Sequence, residues 1–286
     1  MTISGDTKMV NHNKFYSKAY FYDLLFQFKD VKSENQALIH LYQKFFKARP
    51  TAFLDLAAGP GSNAIDMNKR NIQSIAIDYS KEMVAYGIEK AKEENAQVTY
   101  LHGDMRDFSL ETPVDLAAIF TISTCYLLTN EDMIQHLKTV AKNLSPNGLY
   151  VLEMPHPRDL FAVGKLSWKN WEDDWEEKWE ERWEEKWERI EGDTHVSLQW
   201  GDENDYFDPI TQVRTVTARL KYHSPQESGE LIDHCPQREY TFQEMKALIA
   251  LSGVFELVDS LGDWDITVPF SNDKSAWRMI LVLRKL

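Results

Sequence analysis

The chain has 286 residues, 43% of them hydrophobic, enough for one large domain or one domain with a sizeable insertion. A formal net charge of −13 and the lack of any Lys/Arg cluster argue against phosphate backbones, so no nucleic-acid partner is expected. No apolar run approaches the roughly 20 residues of a membrane span, and two distant cysteines, Cys125 and Cys235, make no disulfide framework, so no membrane partner is expected and a reducing cytoplasm is the expected location.

The opening MTISGDTKMVNHNK is polar, without the apolar core of a targeting signal. Residues 15–48 carry helical periodicity: Tyr22, Leu25 and Phe26 share one face, and so do Leu38, Leu41 and Phe45. A different rhythm then begins. TAFLDLA (51–57) predicts a strand, followed by a glycine loop and a helix near 62–70. IQSIAID (72–78) predicts a second strand, with Ser80 as N-cap of a helix reaching Glu94. QVTYLHG (97–103), VDLAAIFTI (114–122) and GLYVLEM (148–154) predict three more strands, with a helix near 131–144 before the last.

Strands alternating with helices imply an α/β fold, a parallel sheet with helices on both faces. Near-continuous apolar character fits strands buried on both sides, and ligands of such sheets bind beyond the carboxyl ends of the strands. The glycine loop sits there. After Pro155 the alternation stops. VSLQW (196–200), TQVRTVTARLKYH (211–223) and ELIDHC (230–235) read as antiparallel strands of a β-rich insertion over 156–238. A helix (241–252) and strands at 253–262 and 278–285 close the chain.

Inside the insertion, Trp171, Trp175, Trp179, Trp183 and Trp187 recur every four residues. A helix would gather them into an aromatic stripe, and Glu, Lys and Arg favour a helix; on a strand the same even spacing would also put them on one face. The repeat reads either as a partner-binding or self-association helix, or as a duplicated tetrad in a tolerant loop packed on its own domain.

The loop Gly59-Pro60-Gly61-Ser62-Asn63-Ala64 lacks the lysine of a nucleotide P-loop. It does fit a dinucleotide fingerprint, with Asp78 19 residues after Gly59. Two carboxylates favour another adenosine ligand. Asp55, inside the strand, sits badly beside a pyrophosphate and suits a positively charged ligand. Asp104, after the third strand, can accept from an adenine amine.

LDLAAGPGS, Asp78 in AIDYS, GDM at 103–105 and LSPNGLYVLE together resemble the class I S-adenosylmethionine-dependent methyltransferases, over about 51–155 and 239–286. Ala57 and Ala58 stand where that family usually has Gly or Cys. The resemblance implies a Rossmann-like seven-stranded sheet in the order 3-2-1-4-5-7-6 with strand 7 antiparallel, and S-adenosylmethionine as cofactor. It implies that Gly59 and Gly61 approach the methionine part, that Asp78 binds the ribose, and that Tyr79 and Met105 flank the adenine with Asp104 near its amine. Phe120 and Thr121 would line the methionine end, and Asp55, Ala57 and Met83 complete the expected cofactor set. An N-terminal helical lid would bring Tyr16 and Tyr20, which core packing could equally claim.

His156, leaving the fifth strand, could be a general base or a loop histidine held between two prolines. Arg158 could bind a substrate carboxylate or pair with an acid of the insertion. His234-Cys235 is not spaced for tetrahedral coordination, and no metal is expected. The division expected is a methyltransferase domain at 1–155 and 239–286, and a β-rich substrate subdomain at 156–238 holding the Trp/Glu repeat helix (about 170–190). The activity expected is N- or O-methylation of a small molecule or short peptide. An NAD-dependent oxidoreductase and a non-catalytic S-adenosylmethionine-binding scaffold acting through the Trp repeat remain as alternatives, with self-association through that repeat open.

Overall fold

A computed structural model describes residues 13–158 and 185–286. The central sheet is built from short apolar runs whose alternate side chains fill two cores. In β1 (Ala52–Leu56), Phe53 faces one layer while Leu54 and Leu56 face the other. Beside it lie β2 (Gln73–Asp78), β3 (Val98–His102), β4 (Val114–Ile119) and β5 (Leu144–Pro155), paired in parallel. One core packs Leu54, Ile77, Ala117 and Leu152 under α6 (Asn130–Asn143) and α7 (Phe242–Ser252). The other packs Phe53, Leu116 and Val151 under α3 (Val31–Phe46) and α4 (Ser62–Lys69). Fully burying one such Leu or Phe contributes about 1.5–3 kcal/mol, so the doubly covered strands anchor the fold.

The last strands, β11 (Phe255–Leu261) and β12 (Arg278–Lys285), follow the five strands of the insertion in chain order. β12 runs antiparallel to both β5 and β11. The sheet order is β11-β12-β5-β4-β1-β2-β3, which is the implied 3-2-1-4-5-7-6 with the seventh core strand reversed. Helix starts follow local chemistry. The Ser80 hydroxyl accepts the Met83 N–H at the head of α5 (Lys81–Glu93), and Thr129 with Asp132 and Thr241 with Glu244 form reciprocal capping boxes on α6 and α7.

The insertion is a second sheet, ordered β10-β9-β7-β6, with a short β8 on β9. Its strands are β6 (Glu185–Glu191), β7 (Thr194–Trp200), β8 (Phe207–Asp208), β9 (Val213–His223) and β10 (Ser228–Arg238). The sequence reading missed β6 and β8. It also put residues up to 190 in a helix, whereas 185–190 are strand. Trp187 pairs opposite Leu198, and alternation turns it onto an apolar cluster with its ring 6.4 Å from Phe26. Trp171, Trp175, Trp179 and Trp183 lie outside the described residues.

The N-terminal helices α1 (Asn13–Tyr16) and α2 (Ala19–Leu25) lie against this second sheet, with Phe15, Phe21 and Leu24 packed on Val196, Leu198 and Leu220. Asp23 fastens the other side of α2 to the main domain, accepting from Lys90 at 2.7 Å and from the Tyr86 hydroxyl at 2.9 Å. Helices and insertion are thereby tied into one cover above the carboxyl ends of β1 and β2. Among the described residues no helix is long and apolar enough to cross a membrane.

Candidate active site

β1 leaves the sheet through a backbone that only special conformations allow. Ala57, Gly59 and Gly61 all have left-handed φ, at 51°, 55° and 74°. Such a conformation in a non-glycine residue costs on the order of 1–3 kcal/mol and persists only where its surroundings enforce it. The same strain recurs opposite, where Thr121 (φ 53°) and Ile122 (φ 61°) follow β4. The glycine turn is closed by a carboxylate. Asp78 Oδ2 accepts the Gly59 N–H at 2.7 Å, and its Oδ1 accepts the Ser80 N–H at 2.8 Å.

Two adjoining clefts open over this turn, sharing Tyr22, Ala57, Gly59 and Ser123. The larger encloses about 1280 Å³ including space open to solvent. It holds seven of the sequence-predicted residues: Tyr16, Ala57, Gly59, Asp78, Tyr79, Asp104 and Met105. The smaller, about 510 Å³, holds Asp55, Phe120 and Thr121.

Electrostatics distinguishes the clefts. In the smaller, burial pushes the Asp55 carboxyl up to about 7, opposed by Lys29 nearby and by the Ala64 N–H, which donates at 3.2 Å. Lys29 also donates to Thr121 Oγ1 at 3.0 Å and lies 5.2 Å above the Phe120 ring. Thr121 gives its N–H to Glu153 at 2.9 Å, and that buried carboxylate pairs with Arg278. In the larger cleft, burial raises Asp78 too, opposed by the Ser80 and Gly59 N–H groups. Asp104 behaves oppositely: burial would raise it, but hydrogen bonds from Arg106 outweigh burial and hold it below its ordinary value. Arg106 reaches Asp104 at 2.7 Å and Asp132 at 2.6 Å.

Lys29, Arg106, Tyr126 and Asp132 line these clefts and were not found by sequence reasoning. The Tyr126 hydroxyl bonds the Tyr16 hydroxyl across the larger cleft, beside Pro236 from β10. Tyr126 also bonds Gln237, and burial drives both tyrosines well above their ordinary value.

Five sequence-predicted residues lie elsewhere. Gly61 does not face a cleft: a Cβ there would stand 2.1 Å from the Tyr100 hydroxyl, so its role is to admit that ring. Met83 is buried in the core, and Tyr20, 44% exposed, packs edge-on to Phe21. His156 is no free base. Its Nε2–H donates to the Ser271 carbonyl at 2.9 Å, its Nδ1 accepts the Arg158 N–H at 3.1 Å, and its ring lies against Phe270. With both nitrogens so engaged it has no lone pair left for a substrate proton. Arg158 donates to the carbonyls of Asn272, Asp273 and Ala276, pinning that loop instead of a substrate carboxylate.

The arrangement fits S-adenosylmethionine better than a dinucleotide. A pyrophosphate needs free N–H groups at the turn and helix start. Here the Gly59 and Ala64 N–H groups are already committed to Asp78 and Asp55, and both carboxylates would repel it. A sulfonium with an ammonium group would meet acidic and aromatic surfaces instead, and the acid at the end of β2 would be within the same cleft as its ribose. Ala57 and Gly59 bring backbone to the cleft floor. At Gly59 the nearest atom to an added Cβ is Tyr22 Cε1, 3.8 Å away, so such a methyl would reach toward that ring across the cleft.

Residues 53–148 match the model of the family described as "Methyltransferase domain". The chain is 27% identical over 117 residues to the dTDP-3-amino-3,4,6-trideoxy-alpha-D-glucopyranose N,N-dimethyltransferase of Streptomyces venezuelae, covering 41% of this chain and 48% of that protein. It is 26% identical over 102 residues to the dTDP-4-amino-2,3,4,6-tetradeoxy-D-glucose N,N-dimethyltransferase of Saccharopolyspora spinosa, covering 36% and 39%. The matched region thus spans half or less of either relative. In fold it resembles a crystal structure of an S-adenosylmethionine-dependent methyltransferase from Clostridium acetobutylicum ATCC 824, with a TM-score of 0.70 at 16% identity over 96% of this chain and 99% of that one.

Proposed function

We propose, from the match of residues 53–148 to the methyltransferase-domain family model, that the chain methylates the nitrogen of a small-molecule amine with S-adenosylmethionine as donor. The observation that carries this reading is the continuity of one cleft from the Asp78 carboxylate to the Tyr16–Tyr126 hydroxyl pair. It offers an adenosyl seat at one end and an uncharged hydrogen-bonding wall at the other.

When bound, S-adenosylmethionine supplies an activated methyl group, so the chain's task is to hold, orient and exclude water. Asp78 takes the ribose hydroxyls, Tyr79 and Met105 flank the base, and Asp104 accepts its amine. Asp55 and Lys29 meet the ammonium and carboxylate of the amino-acid end. The Tyr16–Tyr126 pair orients the acceptor, a hydroxyl oxygen accepting from the amine N–H. The second sheet, over 185–238, supplies the acceptor wall through Pro236.

Nitrogen is favoured over oxygen on chemical grounds. A hydroxyl acceptor needs a base to take its proton, and among the described residues no histidine lines either cleft while the flanking tyrosines hold their protons firmly. An amine in its neutral form presents a lone pair without that help, and the ammonium product sheds its proton after the transfer. The two relatives named N,N-dimethyltransferases act on amines, which supports the choice.

Calorimetry with S-adenosylhomocysteine and NAD, followed by S-adenosylhomocysteine release from S-adenosylmethionine over a panel of primary and secondary aliphatic amines, tests the proposal. One-to-one binding of the thioether product and amine-dependent turnover are expected. Binding of NAD without binding of S-adenosylhomocysteine would overturn it.

A further inference from the structure

Arg106 is held more completely than a surface arginine needs to be. Its backbone N–H and Nε both reach Asp104 Oδ1, at 2.8 and 3.1 Å. Its Nη2 takes Asp104 Oδ2 at 2.7 Å, with Nε shared to that oxygen at 3.2 Å. The far nitrogen, Nη1, takes Asp132 Oδ1 at 2.6 Å. Asp132 in turn is fixed by the Thr129 N–H and hydroxyl at 3.2 and 3.0 Å. The peptide around Arg106 is fastened as well: its carbonyl accepts from Thr139 at 2.7 Å, and the Met105 carbonyl bonds His136 Nδ1 at 2.8 Å. A guanidinium gripped at both ends by anchored carboxylates is a rigid planar strut.

The strut decides what Asp104 can still accept. A carboxylate has about four lone-pair directions. Three N–H groups engage Asp104: the backbone N–H at Oδ1, Nη2 at Oδ2, and Nε shared between the two oxygens, which leaves the equivalent of one lone pair, at Oδ2, for a ligand in the cleft that Asp104 lines. We propose that Arg106 is the positioning residue for base selection, clamping Asp104 so that its one open lone pair receives the 6-amino group of a purine and cannot turn to serve a 6-oxo purine. This rests on the adenosyl seat argued above.

The chemistry behind the selectivity is specific. Adenine offers a donor at its 6-position. Hypoxanthine offers an acceptor there and a donor next to it, at N1. A free carboxylate can swing to the N1–H and bind either base. A clamped one meets the 6-oxo lone pairs head-on, so discrimination comes from immobility as much as from charge. Burial alone would favour the protonated acid, but the Arg106 hydrogen bonds keep Asp104 ionised.

The test compares S-adenosylhomocysteine with S-inosylhomocysteine by calorimetry on the full chain, folding being checked by circular dichroism. In the wild type the adenosyl compound is expected to bind at least about 100-fold tighter, the scale of one charged hydrogen bond exchanged for a repulsion. Arg106→Met should cut that ratio by about tenfold or more, and Arg106→Lys should not restore it, because an ammonium keeps the charge but cannot bridge two carboxylates. An unchanged ratio in Arg106→Met, or its full return in Arg106→Lys, would overturn the proposal. If Arg106→Met does not fold, Asp132→Ala carries the test: it frees one end of the strut, and a ratio reduced about threefold or more supports the proposal while an unchanged ratio overturns it. Wild-type protein that binds both compounds equally defeats this inference alone, whereas protein that binds neither defeats the adenosyl seat with it.

Discussion

The Asp78 carboxylate clasps the Gly59 backbone, accepting its N–H at 2.7 Å while the second oxygen accepts the Ser80 N–H at 2.8 Å. On the proposed reading, turn geometry and ribose recognition are therefore one device. Asp78→Ala removes the ribose acceptor and frees both N–H groups. S-adenosylhomocysteine affinity should fall by at least about tenfold, accompanied by a modest fall in Tm. Calorimetry alongside thermal melts separates the two effects, and unchanged affinity would count against the whole placement of the adenosyl group.

Gly59 and Gly61 stand two residues apart in one motif, yet their surroundings assign them different work. Gly59→Ala meets left-handed strain of about 1 kcal/mol, with its nearest neighbour, Tyr22, 3.8 Å from the new Cβ. Gly61→Ala meets the same strain and drives the Cβ to 2.1 Å from the Tyr100 hydroxyl. Urea denaturation should show a small loss for the first and a loss of several kcal/mol, about the scale of severe overpacking plus strain, for the second. Ligand titration on the folded fraction should show the reverse ranking.

The parallel half of the fold was legible because its strands are apolar on both faces and its helix starts carry caps, as Ser80 illustrates. Glycine spacing alone could not separate Gly59 from Gly61, since what differs is the Tyr100 ring from a strand two positions away in the sheet. Arg106 escaped notice because an arginine in a loop has no periodicity, and its second partner, Asp132, lies 26 residues on. The two readings of His156 could not be separated for a related reason. Its position beside the strand end is local and visible, whereas its partner, Ser271, is 115 residues away. Trp187 shows a true degeneracy: a spacing of four suits a helix stripe and a strand face alike, and cross-strand pairing with Leu198 decides it.

Asp55 gives the site a pH dependence whose direction is fixed by burial. Its carboxyl, ordinarily near 3.8, is raised to about 7 in the fold. The stability linked to the neutral acid is fully present below pH 3.8 and is lost as pH rises through about 7. Binding of a ligand with an ammonium group favours the ionised form, so affinity for S-adenosylhomocysteine should strengthen as pH rises from 6 to 8, with proton release on binding. Calorimetry in buffers of different ionisation enthalpy measures that proton directly. Asp55→Asn should bind more weakly and abolish the release; a variant that still releases the proton would move the titration to another group.

His156→Ala distinguishes a structural histidine from a base. The substitution orphans the Ser271 carbonyl and the Arg158 N–H and opens space beside Phe270. A cost of about 1–3 kcal/mol is expected, read as a lowered midpoint in urea. Turnover per folded molecule should stay within about threefold of wild type, since general-base removal would cost about a hundredfold or more.

Tyr126 tests the acceptor end of the cleft. Its hydroxyl bonds that of Tyr16, so two elements far apart in sequence, α1 and the turn after β4, present one hydrogen-bonding edge beside Pro236. Tyr126→Phe keeps the ring and its packing while removing the hydroxyl. Amine-dependent kcat/KM should fall by about tenfold to a hundredfold, while the affinity for S-adenosylhomocysteine changes less than about twofold, because the lost contact serves the acceptor and not the donor. Tyr16→Phe should behave alike, and the double variant should lose little more than either single one, since the two oxygens act as a unit. Full additivity in that cycle would mean that the two tyrosines touch the acceptor independently, and unaltered turnover in Tyr126→Phe would remove the pair from the reaction.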